Sequence, residues 1–156
     1  GSVVTWGLST HDGGDSSSFS AQLSSGVDVI YSTDGAFAAK KSDGSVVTWG
    51  SATYGGDSSS VSAHLAAGVD VIYSTTGAFA AKKSDGSVVT WGLSTHDGGD
   101  SSSFSAQLSS GVDVIYSTDG AFAAKKSDGS VVTWGPSTFG GDSSSVSAQL
   151  ASGVDV

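Results

Sequence analysis

Histidine and aspartate occur close together at two places, in the run HDGGD at His11–Asp15 and again at His96–Asp100. One imidazole and two carboxylates in so short a run could hold a divalent metal ion loosely, because such ions take these ligands. Glycine-rich turns also use aspartate to accept nearby backbone N–H groups. The equivalent loops elsewhere in the chain, YGGD and FGGD, lack the histidine and the first carboxylate. We therefore predict a turn here and no metal site.

Two further patterns suggest catalysis or cofactor binding at first sight. Serines surround His11 and His96, but no spacing in the sequence marks a catalytic triad, which is defined by geometry. The segment GGDSSS places glycine and serine before a short helical pattern, where a phosphate could bind, yet the lysine of a phosphate-binding loop is missing. We predict no catalytic residue, no cofactor and no enzyme activity.

The cations of the chain form three pairs, and no arginine is present. Repeated around a ring, the pairs would form a band of charge beside Asp43, Asp85 and Asp128 that could bind a multivalent anion weakly. The alternative is a solvated strand edge that discourages pairing between molecules. A net charge of −9 repels polyanions, so we predict no nucleic-acid partner. The pairs are Lys40 and Lys41, Lys82 and Lys83, and Lys125 and Lys126.

The composition excludes several classes of protein. Cysteine is absent from the 156 residues, which excludes disulfides and thiolate metal sites. No apolar run reaches the length of about 18 residues that a membrane span requires, so we predict no membrane partner. We expect a soluble protein, and no targeting signal predicts a compartment.

Internal repetition covers the whole sequence. Aligning on GSVVTWG divides the single predicted domain, 1–156, into repeats 1–43, 44–85, 86–128 and 129–156, of which the last is truncated. The first and third repeats are identical at every position. Because copies diverge under neutral substitution, this identity indicates very recent duplication or deliberate design.

Each repeat contains the pattern of a three-stranded meander. In Ile30–Gly50 the apolar runs VIYS, AFAA and SVVTW are separated by the turn signals T-D-G and S-D-G-S. The preceding GGDSSSFSAQLSSG predicts a short helix of two to three turns, with Asp15 as its N-cap and with Phe19 and Leu23 on one face. A fourth, outer strand is the alternative for this segment.

Four tryptophans are the largest apolar side chains, and they recur with the repeat period. Burying one such ring contributes about 4–6 kcal/mol before entropic costs. We predict that they occupy equivalent buried positions as the anchors between repeats, and they are Trp6, Trp49, Trp91 and Trp134. The alternation in GAFAAKK puts Ala36 and Ala38 on the face opposite Phe37, where a neighbouring sheet could approach closely.

A unit of this size cannot bury both faces of its sheet, so it must stack on copies of itself in a ring or a linear solenoid. Solenoids need polar capping repeats, whereas both ends here carry ordinary repeat sequence. The sequence therefore predicts an all-β fold, a β-propeller of 42–43-residue repeats, each with a three-stranded meander plus a short helix or a fourth outer strand.

The run GVDVIYSTDGAFAAKKSDGSVVTWG resembles the blade of the regulator-of-chromosome-condensation family of β-propellers. That resemblance implies a propeller fold, and it makes a natural module that binds a ligand or protein one interpretation of the chain. The near-identical repeats also resemble computationally designed symmetric propellers of the Cake and Scone group. This second resemblance implies a structural, self-assembling repeat protein with no evolved activity, which we predict.

Three whole meanders are too few for a closed ring, because propellers usually have at least four blades. Two chains would supply six whole blades, and the first fragment of each chain would meet the last fragment of the other. We therefore predict a homodimer that closes an eight-position ring. A nine-position ring and a longer parent chain are the alternatives.

Overall fold

The computed structural model describes residues 1–7 and 14–154. In this part of the chain, nine strands form three antiparallel sheets of three strands, each sheet ordered as its strands follow in the sequence. We call these sheets the first, second and third blades. Their strands are β1 (Val27–Ser32), β2 (Ala36–Lys41) and β3 (Val46–Gly50); β4 (Val69–Ser74), β5 (Ala78–Lys83) and β6 (Val88–Gly92); and β7 (Val112–Ser117), β8 (Phe122–Lys126) and β9 (Val131–Trp134).

The turns that join the strands form as the sequence predicts. Between the first two strands, the Thr33 side chain accepts a hydrogen bond from the Ala36 N–H at 3.1 Å. In the S-D-G-S turn, a carboxylate oxygen of Asp43 accepts from both the N–H and the hydroxyl of Ser45, at 2.9 and 2.6 Å. Since the same bonds recur in all three blades, the predicted meander is confirmed.

The described parts of the serine-rich connecting segments, which precede or follow the blades, contain short helices. In the first two, a 3-10 turn continues into one α-helical turn, and the second also holds an earlier 3-10 turn; the third holds one 3-10 turn and the fourth holds two. The predicted short helix forms in the first segment as a 3-10 turn that continues into an α-helical turn, from Ser17 to Leu23. The third and fourth segments stop at 3-10 turns, because serine competes for backbone hydrogen bonds and disfavours helix interiors. No helix in the described residues could span a bilayer. The helices are 3-10 Ser17–Phe19, α1 (Ser20–Leu23), 3-10 Ala52–Tyr54, 3-10 Ser59–Val61, α2 (Ser62–Leu65), 3-10 Ser102–Phe104, 3-10 Ser137–Phe139 and 3-10 Ser144–Val146.

Each blade presents two different faces to its neighbours. Its alanine face carries two alanines in or directly before the middle strand: Ala36 and Ala38, Ala78 and Ala80, or Ala121 and Ala123. Its aromatic face carries an isoleucine, a phenylalanine and a tryptophan: Ile30, Phe37 and Trp49; Ile72, Phe79 and Trp91; or Ile115, Phe122 and Trp134. The alanine face of the first blade packs into one buried cluster with the aromatic face of the second, and the second packs on the third likewise. The small face therefore admits the neighbouring sheet, as predicted.

The blades converge at their first strands and separate towards their third. Backbone hydrogen bonds of 2.9 Å link the turns after the first strands, from Asp34 N–H to Thr76 O and from Thr76 N–H to Asp119 O. Farther out, Leu65 and Leu108 of the connecting segments are buried in the clusters between blades. This radial arrangement confirms the predicted all-β propeller fold, in which each meander is a blade.

In the single chain, one of the four tryptophans does not occupy the buried position predicted for all of them. Trp49, Trp91 and Trp134 are 1, 3 and 1% exposed, whereas Trp6 is 84% exposed. Trp6 belongs to residues Gly1–Gly7, the head segment, which repeats the sequence of a third strand without the two strands that precede it in a blade. It therefore lacks both the phenylalanine that stacks on each other tryptophan and the alanine face of a preceding blade.

Candidate functional site

The two ends of the blade stack expose surfaces that are buried inside it. On the first blade the aromatic face is open, and Ile30 is 44% exposed, compared with 2 and 1% for the equivalent Ile72 and Ile115. Phe37 is half-buried, although its equivalents in the other blades are fully buried. This end therefore exposes apolar surface. The equivalent surfaces of the second and third blades are covered by the alanine face of the preceding blade.

At the opposite end of the stack the alanine face of the third blade is partly exposed, although Ala121 is buried. Ala123 is half-buried, whereas the equivalent Ala38 and Ala80 are fully buried. Nearby, Tyr116 is 46% exposed and Phe139, in the loop after β9, is 42% exposed. The two ends of the stack are thus complementary in chemistry, because one is aromatic and the other carries alanines.

A tryptophan-to-loop hydrogen bond joins successive blades. The Nε1–H of Trp91 donates to the carbonyl of Gly55 at 3.0 Å, and that of Trp134 donates to Gly98 at 3.1 Å. The loop glycine also touches the next blade, since a Cβ on Gly55 would lie 2.7 Å from the Phe79 ring. The equivalent Gly140 has nothing within 4 Å of its Cβ position. The acceptor loop after the third blade is therefore open.

The head segment occupies the place of a third strand beside the first blade. Gly1 and Val27 exchange two hydrogen bonds of 2.9 and 3.0 Å, and Val3 N–H donates to Leu23 O at 3.0 Å. The hydroxyls of Thr5 and Ser16 lie 2.8 Å apart, matching the Thr48–Ser58 pair at 2.9 Å in the next repeat. These bonds fix the outer side of the head segment as in a complete blade.

The groups of the second HDGGD loop have separate structural contacts. His96 is exposed, with Nδ1 2.7 Å from the Thr95 hydroxyl. Asp97 is buried, and its carboxylate accepts from the Thr76 hydroxyl at 2.9 Å. Asp100 accepts from the Ser102 N–H at 2.8 Å, and this bond lowers the pKa of the carboxyl. Within 1–7 and 14–154, no group of three His, Asp or Glu residues could hold a metal ion.

The first HDGGD loop is only partly described. His11 lies outside the described residues, so its predicted role in a turn stays a prediction. Asp15 is described, and it accepts from the Ser17 N–H at 2.8 Å. The 3-10 helix begins at Ser17 with Ser16 as its N-cap, so Asp15, the predicted N-cap, lies one residue before the observed one. Its carboxylate still satisfies a backbone donor of the first helical turn.

The lysine pairs end the middle strands, where they lie beside acidic groups. Lys82 Nζ forms an ion pair with Asp70 Oδ2 at 2.9 Å, and Lys41 Nζ donates to the Gln22 carbonyl at 2.9 Å. On the third blade, Lys125 and Lys126 line a shallow pocket together with two aspartates. Lysines and aspartates thus lie close together on the second and third blades, and anion binding there stays a prediction.

A polar cavity at the turns after the first strands was not predicted from the sequence. Its volume is about 340 Å³, and only serine, threonine and aspartate line it. These residues are Ser32, Thr33, Asp34, Ser74, Thr75, Thr76, Ser117, Thr118 and Asp119. The recurrent S-T-D-G and S-T-T-G runs are the signal that could have indicated it, because the first strands of blades lie innermost in a propeller.

Comparison with known proteins finds similar backbones only. No protein-family model matches the sequence, and no curated protein sequence matches it. Among solved structures, 72% of the chain aligns with 34% of the computationally designed Ika8 protein, at 19% identity and a TM-score of 0.40. For the computationally designed Ika4 protein, 70% of the chain aligns with 65% of that chain, at 20% identity and a TM-score of 0.41.

A third similar structure is HIRA(644-1017), where 74% of the chain aligns with 38% of that chain at 8% identity and a TM-score of 0.40. In each case the aligned part is less than two thirds of the other chain's length. Identities this low describe backbone similarity and do not identify a function.

Proposed function

We propose that this chain is a structural repeat protein of designed origin whose biochemical property is self-association into a closed propeller ring, and that it is not an enzyme. The identity of the first and third repeats supports a designed origin. The complementary ends of the blade stack support self-association, because each end exposes one side of a contact that occurs twice inside the molecule.

One pair of groups carries the proposal. Trp6 is an exposed tryptophan at one end, and Gly140 is an open acceptor loop at the other. Inside the stack, the equivalent tryptophan and glycine form a hydrogen bond of about 3 Å at both blade junctions. Trp6 of one copy would therefore donate to Gly140 of the next, while its ring would cover the alanine face of the third blade.

The contents of each copy favour eight positions. A chain has three whole blades, four third-strand sequences including the head segment, and four connecting segments. Two copies would fill eight positions without duplicating a third strand or a connecting segment. In a six-blade ring, two third-strand sequences and two connecting segments would have no position. In the eight-position ring, two positions would lack the first two strands of a blade.

The test measures the native mass by light scattering at micromolar concentration. We expect about twice the chain mass of 15.3 kDa, since the two-fold ring contains two copies. Phe139→Asp should reduce the mass to that of one chain, because Phe139 lies beside the acceptor loop and a carboxylate there would meet the partner's apolar ring. Trp6→Ala should have the same effect.

Ile30→Asp is the matched control. Ile30 is as exposed as Phe139, at 44 and 42%, but in the proposed ring the aromatic face of the first blade would meet the position that lacks two strands and not the partner's third blade. This variant should keep the double mass. Wild-type protein with the mass of one chain, or a Phe139→Asp variant that still dimerises, would contradict the proposal.

A further inference from the structure

A groove separates the head segment from the first blade. Its volume is about 210 Å³, and its walls are apolar. One wall is formed by Val4, Thr5 and Trp6 of the head segment, and the other by Ile30, Phe37 and Trp49 of the aromatic face. We call this groove the hairpin slot, because in the complete blades the equivalent space is filled by the first two strands of a blade.

The complete blades show what fills this space. The middle strand pairs with the third strand in the register Phe37–Trp49, Ala38–Thr48 and Ala39–Val47, and the other blades repeat this register. The phenylalanine ring stacks on the tryptophan ring with centroids 5.2–5.4 Å apart. The middle strand then turns its alanines towards the isoleucine, phenylalanine and tryptophan of the following blade.

The head segment lacks these partners on its inner side. Val4 and Trp6 are 80 and 84% exposed, and no backbone hydrogen bond joins either residue to another described part of the chain. Among the described residues, a Cβ on Gly7 would come within 4 Å of Gly14 alone, at 3.9 Å. At the equivalent Gly92, a Cβ would lie 2.5 Å from a carbonyl oxygen of the blade's own turn. The slot is thus open along the strand edge.

We propose that the hairpin slot binds a β-hairpin supplied by another molecule, with the chemistry of this chain's own first two strands. The second strand of the hairpin would add to the edge of the head segment, as peptides add to open sheet edges. Its phenylalanine would stack on Trp6, and its two alanines would cover Ile30 and Phe37. Every contact of this arrangement already occurs at the two junctions inside the molecule.

The slot is selective for small residues on one face of the hairpin. Inside the stack, Ala36, Ala38, Ala78 and Ala80 are at most 1% exposed, so nothing larger fits between two sheets there without displacing a blade. The proposal does not depend on ring closure, since both walls of the slot belong to one chain. It adds a binding activity to the self-association proposed above.

The test uses the full 156-residue chain and a fluorescein-labelled peptide with the sequence of residues 26–43. Fluorescence anisotropy should show saturable binding with a stoichiometry of one peptide per chain. Ile30→Asp should weaken binding at least about tenfold, because a carboxylate would then face the apolar hairpin. Phe139→Asp, which changes an equally exposed residue outside the slot, should leave the affinity unchanged.

A second peptide tests the alanine face. This peptide carries Ala36→Glu and Ala38→Glu, and it should show no saturable binding. Circular dichroism of the protein variants provides the control that each keeps the wild-type fold. Absence of binding by the original peptide would overturn the proposal, and so would equal binding of both peptides or no effect of Ile30→Asp. The two protein variants separate peptide binding from ring closure. Phe139→Asp should abolish dimerisation and leave peptide binding unchanged, whereas Ile30→Asp should weaken peptide binding and leave dimerisation unchanged.

Discussion

The seven residues GSVVTWG occur four times in the chain, yet their tryptophans lie in two very different environments. Trp91, in the second blade, is 3% exposed and donates a hydrogen bond to the preceding loop. Trp6, with the same sequence around it, is 84% exposed. The difference shows that in this fold the local sequence specifies the strand, while the neighbouring strands and blades provide the burial.

Replacing each of these two tryptophans by alanine, one at a time, should change the stability of the chain by very different amounts. Trp91→Ala should reduce the free energy of unfolding by about 3–5 kcal/mol, because it leaves a cavity between two blades and an unpaired carbonyl at Gly55. Trp6→Ala should change the stability of the single chain by less than about 0.5 kcal/mol, as is usual for exposed positions. Urea unfolding, measured at a concentration where copies do not associate, provides both values.

Equal losses for the two tryptophan variants would contradict the comparison between interior and end positions. A loss below about 1 kcal/mol for Trp91→Ala would also contradict the role of the tryptophans as anchors between blades.

The loop glycines provide a second pair of matched positions. Gly55 and Gly140 have similar positive φ angles, 95° and 91°, so alanine would strain the backbone equally at both. Only at Gly55 would the new Cβ also contact a neighbour, at 2.7 Å from the Phe79 ring. Gly55→Ala should therefore destabilise the chain by about 1–3 kcal/mol more than Gly140→Ala, which is the usual range for overpacking.

Thermal and urea unfolding of both glycine variants would measure this difference. If the two variants lose the same stability, the strain of the backbone alone accounts for the loss, and the loop does not act as a contact between blades.

The strands and turns could be predicted because their determinants are local. Alternating apolar runs and T-D-G and S-D-G-S turns specify each meander, and the bonds of Thr33 and Asp43 lie within three residues of sequence. The alanine face was also predictable, since alternation along a strand fixes which side chains share a face. The helices were less predictable, because serine-rich segments have weak helical preference.

The candidate surfaces could not be predicted with the same success. The exposure of Trp6 depends on strands absent from its side, and identical local sequence gives no sign of this difference. The acceptor role of Gly55 depends on a partner 36 residues away in the chain. Such contacts follow from the stacking of blades, which a repeat period indicates without specifying the atoms that meet.

Local hydrogen bonds, in contrast to burial, are the same at the ends of the stack and inside it. Each connecting segment has an aspartate that accepts from the N–H two residues later, at 2.8–2.9 Å: Asp15, Asp57, Asp100 and Asp142. The S-D-G-S turns have the same arrangement at Asp43, Asp85 and Asp128. Hydrogen bonds from the following serines lower the pKa of all seven carboxyls below the ordinary value of 3.8.

The smallest expected effect is therefore a uniform sensitivity to acid. A carboxyl whose pKa is lower in the folded chain stabilises the fold above its unfolded pKa of 3.8, and this contribution is lost as the pH falls through the folded pKa. These groups should contribute no pH dependence at neutral pH and a decline below about pH 4. Ser45→Ala, Ser87→Ala and Ser130→Ala together remove the 2.6 Å hydroxyl bonds and should make the decline shallower in urea titrations at successive pH values. An unchanged acid profile in this triple variant would show that these exposed turn bonds form too weakly in solution to stabilise the folded chain.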